Sequence, residues 1–146
     1  MNKRFVKLLA ISLGVVASLA MLLAVARALN PRNTNLVGTW NNVDSNTADI
    51  VQIIIADDGV GGITVHAFGA CSPDPCDWGI VPGVAYSTST SDANGKFFTA
   101  TYDFGFEITV LAGGLQDDGR LVVHEFTEFT DGSNRYNYHS VDTFQQ

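Results

Sequence analysis

Cationic side chains are scarce in this chain. Eight Lys and Arg stand against fifteen Asp and Glu in 146 residues. Four of the eight, Lys3, Arg4, Lys7 and Arg27, lie within the first 28 residues. Without those 28 residues, four basic side chains face fifteen acidic ones, a net charge of −11. So acidic a chain repels phosphate backbones, which argues against a nucleic-acid partner. The acidity itself fits solubility outside the cell. Cysteine is nearly absent, with Cys71 and Cys76 alone. No G-x-S-x-G, H-E-x-x-H or phosphate-cradling glycine loop occurs, so no motif marks a catalytic centre. Beyond the first 28 residues, the three-to-four-residue apolar spacing of an amphipathic helix is missing too.

The opening residues have the make-up of an export signal. Lys3, Arg4 and Lys7 precede an uncharged apolar run over 8–25, and Ala24-Val25-Ala26 and Ala26-Arg27-Ala28 offer small residues for cleavage. An uncleaved N-terminal anchor is the alternative, because the run approaches the length of a spanning helix. A secreted or periplasmic protein follows, with 1–28 as signal, 29–35 as a flexible lead-in and 36–146 as one domain. In that setting Cys71 and Cys76 are expected to pair. The ring they close lowers unfolded-state entropy by roughly 2 kcal/mol in the chain-entropy picture.

The remainder alternates short β-branched or aromatic runs with turn clusters, which predicts strands at 36–42, 50–56, 63–68, 80–87, 96–103, 106–112, 120–129 and 136–144. Asp57-Asp58-Gly59, Ala93-Asn94-Gly95, Asp117-Asp118-Gly119 and Asp131-Gly132 supply residues that tolerate tight turns. Connections this short favour antiparallel neighbours. The predicted fold is all-β, an eight-stranded antiparallel up-and-down barrel whose closure removes exposed edges; a two-sheet β-sandwich is the alternative.

A turn at residues 131–134 would put Leu121, Val123, Glu125, Thr127 and Phe129 on the same face as Tyr136, Tyr138, Ser140, Asp142 and Phe144. That face is taken as inner. Carboxylates and hydroxyls inside an apolar barrel imply a solvated lumen or a ligand with hydrogen-bond donors. Trp40 and Asn42 share a face of the first strand, and Phe106, Ile108 and Val110 share a face of the sixth.

Gly38-Thr39-Trp40 resembles the G-x-W signature of lipocalin-like barrels. Together with Asn42 and the closing Asp142-Thr143-Phe144, it resembles the two ends of avidin-type barrels. That resemblance implies an exported calycin-type barrel holding a small ligand in its lumen. It places Asn42 and Asp142 in the pocket. Glu125 and Tyr138 are added from the strand pattern as polar contacts, with Trp40 and Phe106 as apolar walls. Separately, Cys71 to Gly79 and Phe126 to Arg135 resemble the C-x-P-x-x-C-D-W-G and F-T-x-F-x-D-G-S-x-R stretches of short bacterial domains, a resemblance that implies no activity.

The leading functional expectation is non-catalytic small-ligand binding, with no cofactor and no metal. One alternative is a protein-interaction module, such as a protease inhibitor or surface-assembly subunit, presenting Pro73, Asp74, Asp77 and Trp78 on the disulfide loop. That loop is expected to be the longest connection on its rim. Another alternative is a calycin-like lumen enzyme using Glu125 and Asp142. Partners are thus a small molecule or an extracellular protein, with a homo-oligomer also compatible. Asp44, Asn46 and Asp49 have oxygen ligands suited to calcium, though turn-capping accounts for them more simply. Zinc on the two cysteines with His66 lacks the usual ligand spacing. His124 and His139 are expected as diagonal neighbours near Glu128, read as a solvated surface pair with a metal site as the alternative.

Overall fold

The structure is a computed structural model that describes residues 35–146. The expected export signal, and nearly all of the expected lead-in, lie outside the described residues. Eight strands follow one another: β1 (Gly38–Asn42), β2 (Ile50–Asp57), β3 (Ile63–Gly69), β4 (Cys76–Tyr86), β5 (Phe97–Asp103), β6 (Glu107–Leu115), β7 (Leu121–Phe129) and β8 (Tyr138–Gln145). Each pairs antiparallel with its sequence neighbours, and β8 pairs back onto β1 to close the barrel. The eight-stranded up-and-down barrel is the predicted fold, and its calycin-like architecture agrees with the resemblance. The sandwich alternative is excluded.

Strand periodicity sets the two faces. In β3 every second residue is buried, from Ile63 through Val65 and Ala67 to Gly69. In β7 the buried set is Leu121, Val123, Glu125 and Thr127, with Phe129 half-buried at its end. Tyr136, expected on the same inner face, is instead 93% exposed in the loop, because β8 begins only at Tyr138. Inside the barrel, Leu36, Ile55, Ile63, Phe98, Leu121 and Phe144 are fully buried around Trp40, whose Nε1 donates to the Leu36 carbonyl at 2.8 Å. The first residues of the domain thus plug the end of the lumen where β1 begins. Antiparallel alternation gathers the loops 43–49, 70–75, 104–106 and 130–137 at the other end.

Two expectations about the strands are corrected. The fourth strand begins at Cys76, not at residue 80, so the loop over 70–75 is shorter than the β1–β2 and β7–β8 connections on the same rim. The strand is extended by a bulge: Phe68 pairs with Asp77 and His66 with Ile80. Gly79 is the extra residue, at φ +81°, where only glycine sits without strain. Its N–H donates to Asp77 Oδ1 at 2.7 Å. The Asp-Trp-Gly run is therefore a bulge that turns Trp78 inward.

The second correction concerns β6. Its inward residues are Thr109, Leu111 and Gly113, and Phe106, Ile108 and Val110 are not lumen wall. The register explains this, because Tyr102, Ala100 and Phe98 of β5 lie opposite Thr109, Leu111 and Gly113. The Phe98 ring occupies the space a Cβ on residue 113 would need.

Candidate functional site

The polar residues of the inner wall gather toward the rim formed by the four loops. Asn42 ends β1, and its Nδ2 donates both to Asp142 Oδ1 at 2.8 Å and to the Ile50 carbonyl at 2.7 Å. On β7 and β8 the register places Glu125 opposite Ser140 and Thr127 opposite Tyr138. Glu125 Oε1 accepts from Tyr138 Oη at 2.9 Å and from Thr127 Oγ1 at 3.0 Å. Thr127 in turn meets Thr109 Oγ1 at 2.9 Å. The result is a hydrogen-bonded chain from β6 to β8 inside the barrel.

Glu125 is only 4% exposed, whereas Tyr138 is 45% exposed and Asn42, Ser140 and Asp142 are half-buried. The upper wall therefore grades from a dry carboxylate to a solvent-reachable edge. Ser140 Oγ, facing Glu125 across the ladder, is buried and makes no hydrogen bond to a described residue.

The electrostatics follow from burial. Burial pushes the Glu125 carboxyl above the ordinary glutamate range, against the hydrogen bonds from Tyr138 and Thr127, and the charges of Asp49 and Asp142 push it further. Asp142 is raised as well, first by burial and then by Asp49 and Asp44, with Asn42 and Thr47 opposing. The site is thus rich in acceptors and under-supplied with donors.

The sequence-predicted residues divide cleanly. Asn42, Glu125, Tyr138 and Asp142 come together on the wall. Trp40 lies in the barrel core, 2% exposed. Phe106 stands apart, 44% exposed at the rim, with the Arg135 guanidinium 5.4 Å from its ring centroid. Thr109 was missed; the signal was Gly113, whose missing side chain makes room for Phe98 and fixes the face of β6.

The expected interaction loop is also divided. Cys71 and Cys76 form the disulfide, consistent with an oxidising environment. Pro73 and Asp74 are exposed. Asp77 and Trp78 belong to β4, not to the loop. Asp77 bonds His66 Nε2, which together with the Gly79 N–H holds its carboxyl below the ordinary aspartate range. Trp78 is half-buried and meets Tyr102 and Phe104 edge-on at 5.4 and 5.5 Å. Behind the bulge, Tyr102 Oη accepts from the Ala67 N–H at 3.0 Å and donates to the Val65 carbonyl at 2.9 Å. Burial pushes the Tyr102 hydroxyl up to about 12.

The other distinctive run is likewise a loop-building device. Asp131 accepts from the Ser133 N–H and from Arg135 Nη2 at 3.0 and 2.7 Å, and the Arg135 guanidinium lies 3.9 Å from the Phe129 centroid. In the first loop, Asp44 Oδ1 accepts from the Asn46 N–H and Thr47 Oγ1 from the Asp49 N–H. These are the turn bonds that such residues supply. Among the described residues no cluster of three or more His, Cys, Asp or Glu is arranged to hold a metal ion.

No family model, curated protein or solved structure matches this chain. The fold and this wall define a class, a closed β-barrel with an acceptor-rich inner wall beneath one rim.

Proposed function

We propose that this is an exported, non-catalytic binding protein that holds a small ligand in the rim-side half of its lumen, as the avidin-type resemblance implies. The ligand carries N–H or O–H donors and an apolar body. Ser140 carries the reading: its oxygen is buried on the inner wall without a partner among the described residues, and a buried polar atom left so has a role or a cost. On either side of it stand Glu125 and Asp142, acceptors with lone pairs to spare. Asn42 and Tyr138 would fix orientation, and the half-buried Trp78 and Phe104 supply apolar surface at the same end. Export is supported by the leader sequence and the disulfide.

A thermal-shift screen of small donor-bearing molecules tests this. Ligands are expected to raise the Tm of the wild-type chain and not that of Ser140→Leu, whose longer side chain fills the site. Hits that stabilise both proteins equally would place binding elsewhere.

One observation favours a second reading, a protein-interaction module. Pro73 and Asp74 are exposed on a loop whose ends the disulfide joins. Asp74→Arg should then abolish capture of an extracellular partner with the fold unchanged. It should leave small-ligand binding intact.

A further inference from the structure

We propose that His124 and His139 form a two-imidazole site for a divalent transition-metal ion of tetragonal preference, Cu²⁺ above all, on the outer wall of the barrel. The pair is independent of the lumen. His124 on β7 lies opposite Val141, and His139 on β8 lies opposite Phe126, so the two histidines are diagonal neighbours on the outward face. His124 Nδ1 and His139 Nε2 are 2.9 Å apart, and their rings are inclined by only 17°. The ladder fixes the backbone of both, and the Phe126 ring, 4.7 Å from that of His139, backs the pair. Both imidazoles are exposed.

The nitrogen separation puts both donors within reach of one ion. Metal–imidazole bonds run about 2.0–2.1 Å, so two at right angles put their donors about 2.9 Å apart, against about 3.4 Å at the tetrahedral angle. In the free pair that separation is a hydrogen bond: the ring centroids lie 5.2 Å apart, so the two nitrogens point at each other, and both exposed rings must rotate to bring them onto adjacent corners around one metal. Imidazole suits Cu²⁺ and Ni²⁺, which take such geometry, and Cu²⁺ binds most tightly along the first-row series.

The protonation balance is simple. In the free pair, one of the two facing nitrogens carries a hydrogen and donates it to the other. Moving that hydrogen to the far nitrogen of the same ring, through solvent, leaves two free lone pairs, which converge on the metal once the exposed rings rotate, with no net proton change. With two protein ligands, water fills the remaining positions.

The surroundings favour a cation. The outward residues of β6, Ile108, Val110 and Ala112, bring no positive charge, and the chain carries a net −7. Glu128 and His139 line one groove of about 380 Å³ beside the pair, so a carboxylate stands on the approach to it.

The test is a Cu²⁺ titration of the tag-free full chain, followed by calorimetry and electron paramagnetic resonance. Saturable binding of a single ion per chain is expected, with a tetragonal spectrum split by two nitrogens. His124→Ala and His139→Ala should each weaken it by at least the roughly 10–100-fold that lost supporting partners cost. His66→Ala should leave it unchanged. Circular dichroism verifies the fold of each variant. Undiminished binding in the double His124→Ala/His139→Ala chain overturns the proposal. So does the absence of saturable binding by wild type, or tighter binding of Zn²⁺ than of Cu²⁺.

Discussion

Asn42 Nδ2 donates to Asp142 Oδ1 at 2.8 Å, joining the first strand of the barrel to the last. The β1–β8 seam is short, with register partners only at Asn41–Gln145 and Asn42–Phe144. It is supported by the Val43 N–H donating to the Thr143 carbonyl at 2.9 Å. One side chain thus serves both the seam and the inner wall.

Asn42→Ala removes the donor to a half-buried carboxylate and leaves the Ile50 carbonyl without its side-chain partner. Bonds of this charged kind contribute about 1.5–3 kcal/mol. Chemical denaturation should show a loss of that order. A double-mutant cycle with Asp142→Ala should return a coupling of about 1 kcal/mol or more. Additive losses would mean that the pair does not act as a unit.

Glu125 sets the direction of a pH effect. Its folded-state pKa is raised, so the folded chain holds the proton more tightly than the unfolded chain. Stability from this group is full below the ordinary glutamate value, about 4.3, and is lost as pH rises through the folded value. Asp142 acts in the same direction. Asp77, Asp92, Asp117 and Asp131 are lowered and act oppositely: their contribution is present above the ordinary aspartate value, about 3.9, and is lost as pH falls through their folded values. Glu125→Gln should therefore raise Tm at pH 7, and its advantage should close as pH approaches 4. A Tm below that of wild type at pH 7 would show that the ionised carboxylate is needed for the fold.

Gly113→Ala should destabilise by about 1–3 kcal/mol through overpacking against the Phe98 ring. Adding Phe98→Leu should recover part of the loss. A neutral Gly113→Ala would mean that the ring moves freely and does not fix the face of β6.

Tyr102→Phe strips the Ala67 N–H and the Val65 carbonyl of their partner behind the β4 bulge. The expected loss is about 1–3 kcal/mol, the cost of a buried group left unmade. Hydrogen exchange should locate the weakening at Ala67 first. An unchanged protection factor there would remove Tyr102 from the scaffold of the rim.

Much of the fold was legible because its turns carry their own chemistry. The turn over 131–134 centres the last hairpin, and from that centre alone Glu125 faces Ser140 and Leu121 faces Phe144, as observed. The inward faces of Asn42 and Asp142 followed from strand alternation. What alternation cannot show is an extra residue. The bulge at Gly79 shifts the phase of β4, so Trp78 turns toward the core although the strand residues before it, Cys76 and Asp77, are exposed. Nor can it choose between the two faces of β6. Ile108 and Val110 are the more apolar set, yet Phe98 claims the lumen and leaves room inside only for Gly113, Leu111 and Thr109. Local pattern proposes a face, and the volume already inside the barrel decides it.

Amide chemical-shift mapping with the strongest donor-bearing ligand from the thermal screen tests the lumen site most directly. The expected result is perturbation confined to the inner wall, at Asn42, Glu125, Tyr138, Ser140 and Asp142, and abolished in Ser140→Leu. Perturbation centred on the Cys71–Cys76 loop or on the outer face around Phe126, with the inner wall unmoved, would contradict a lumen site.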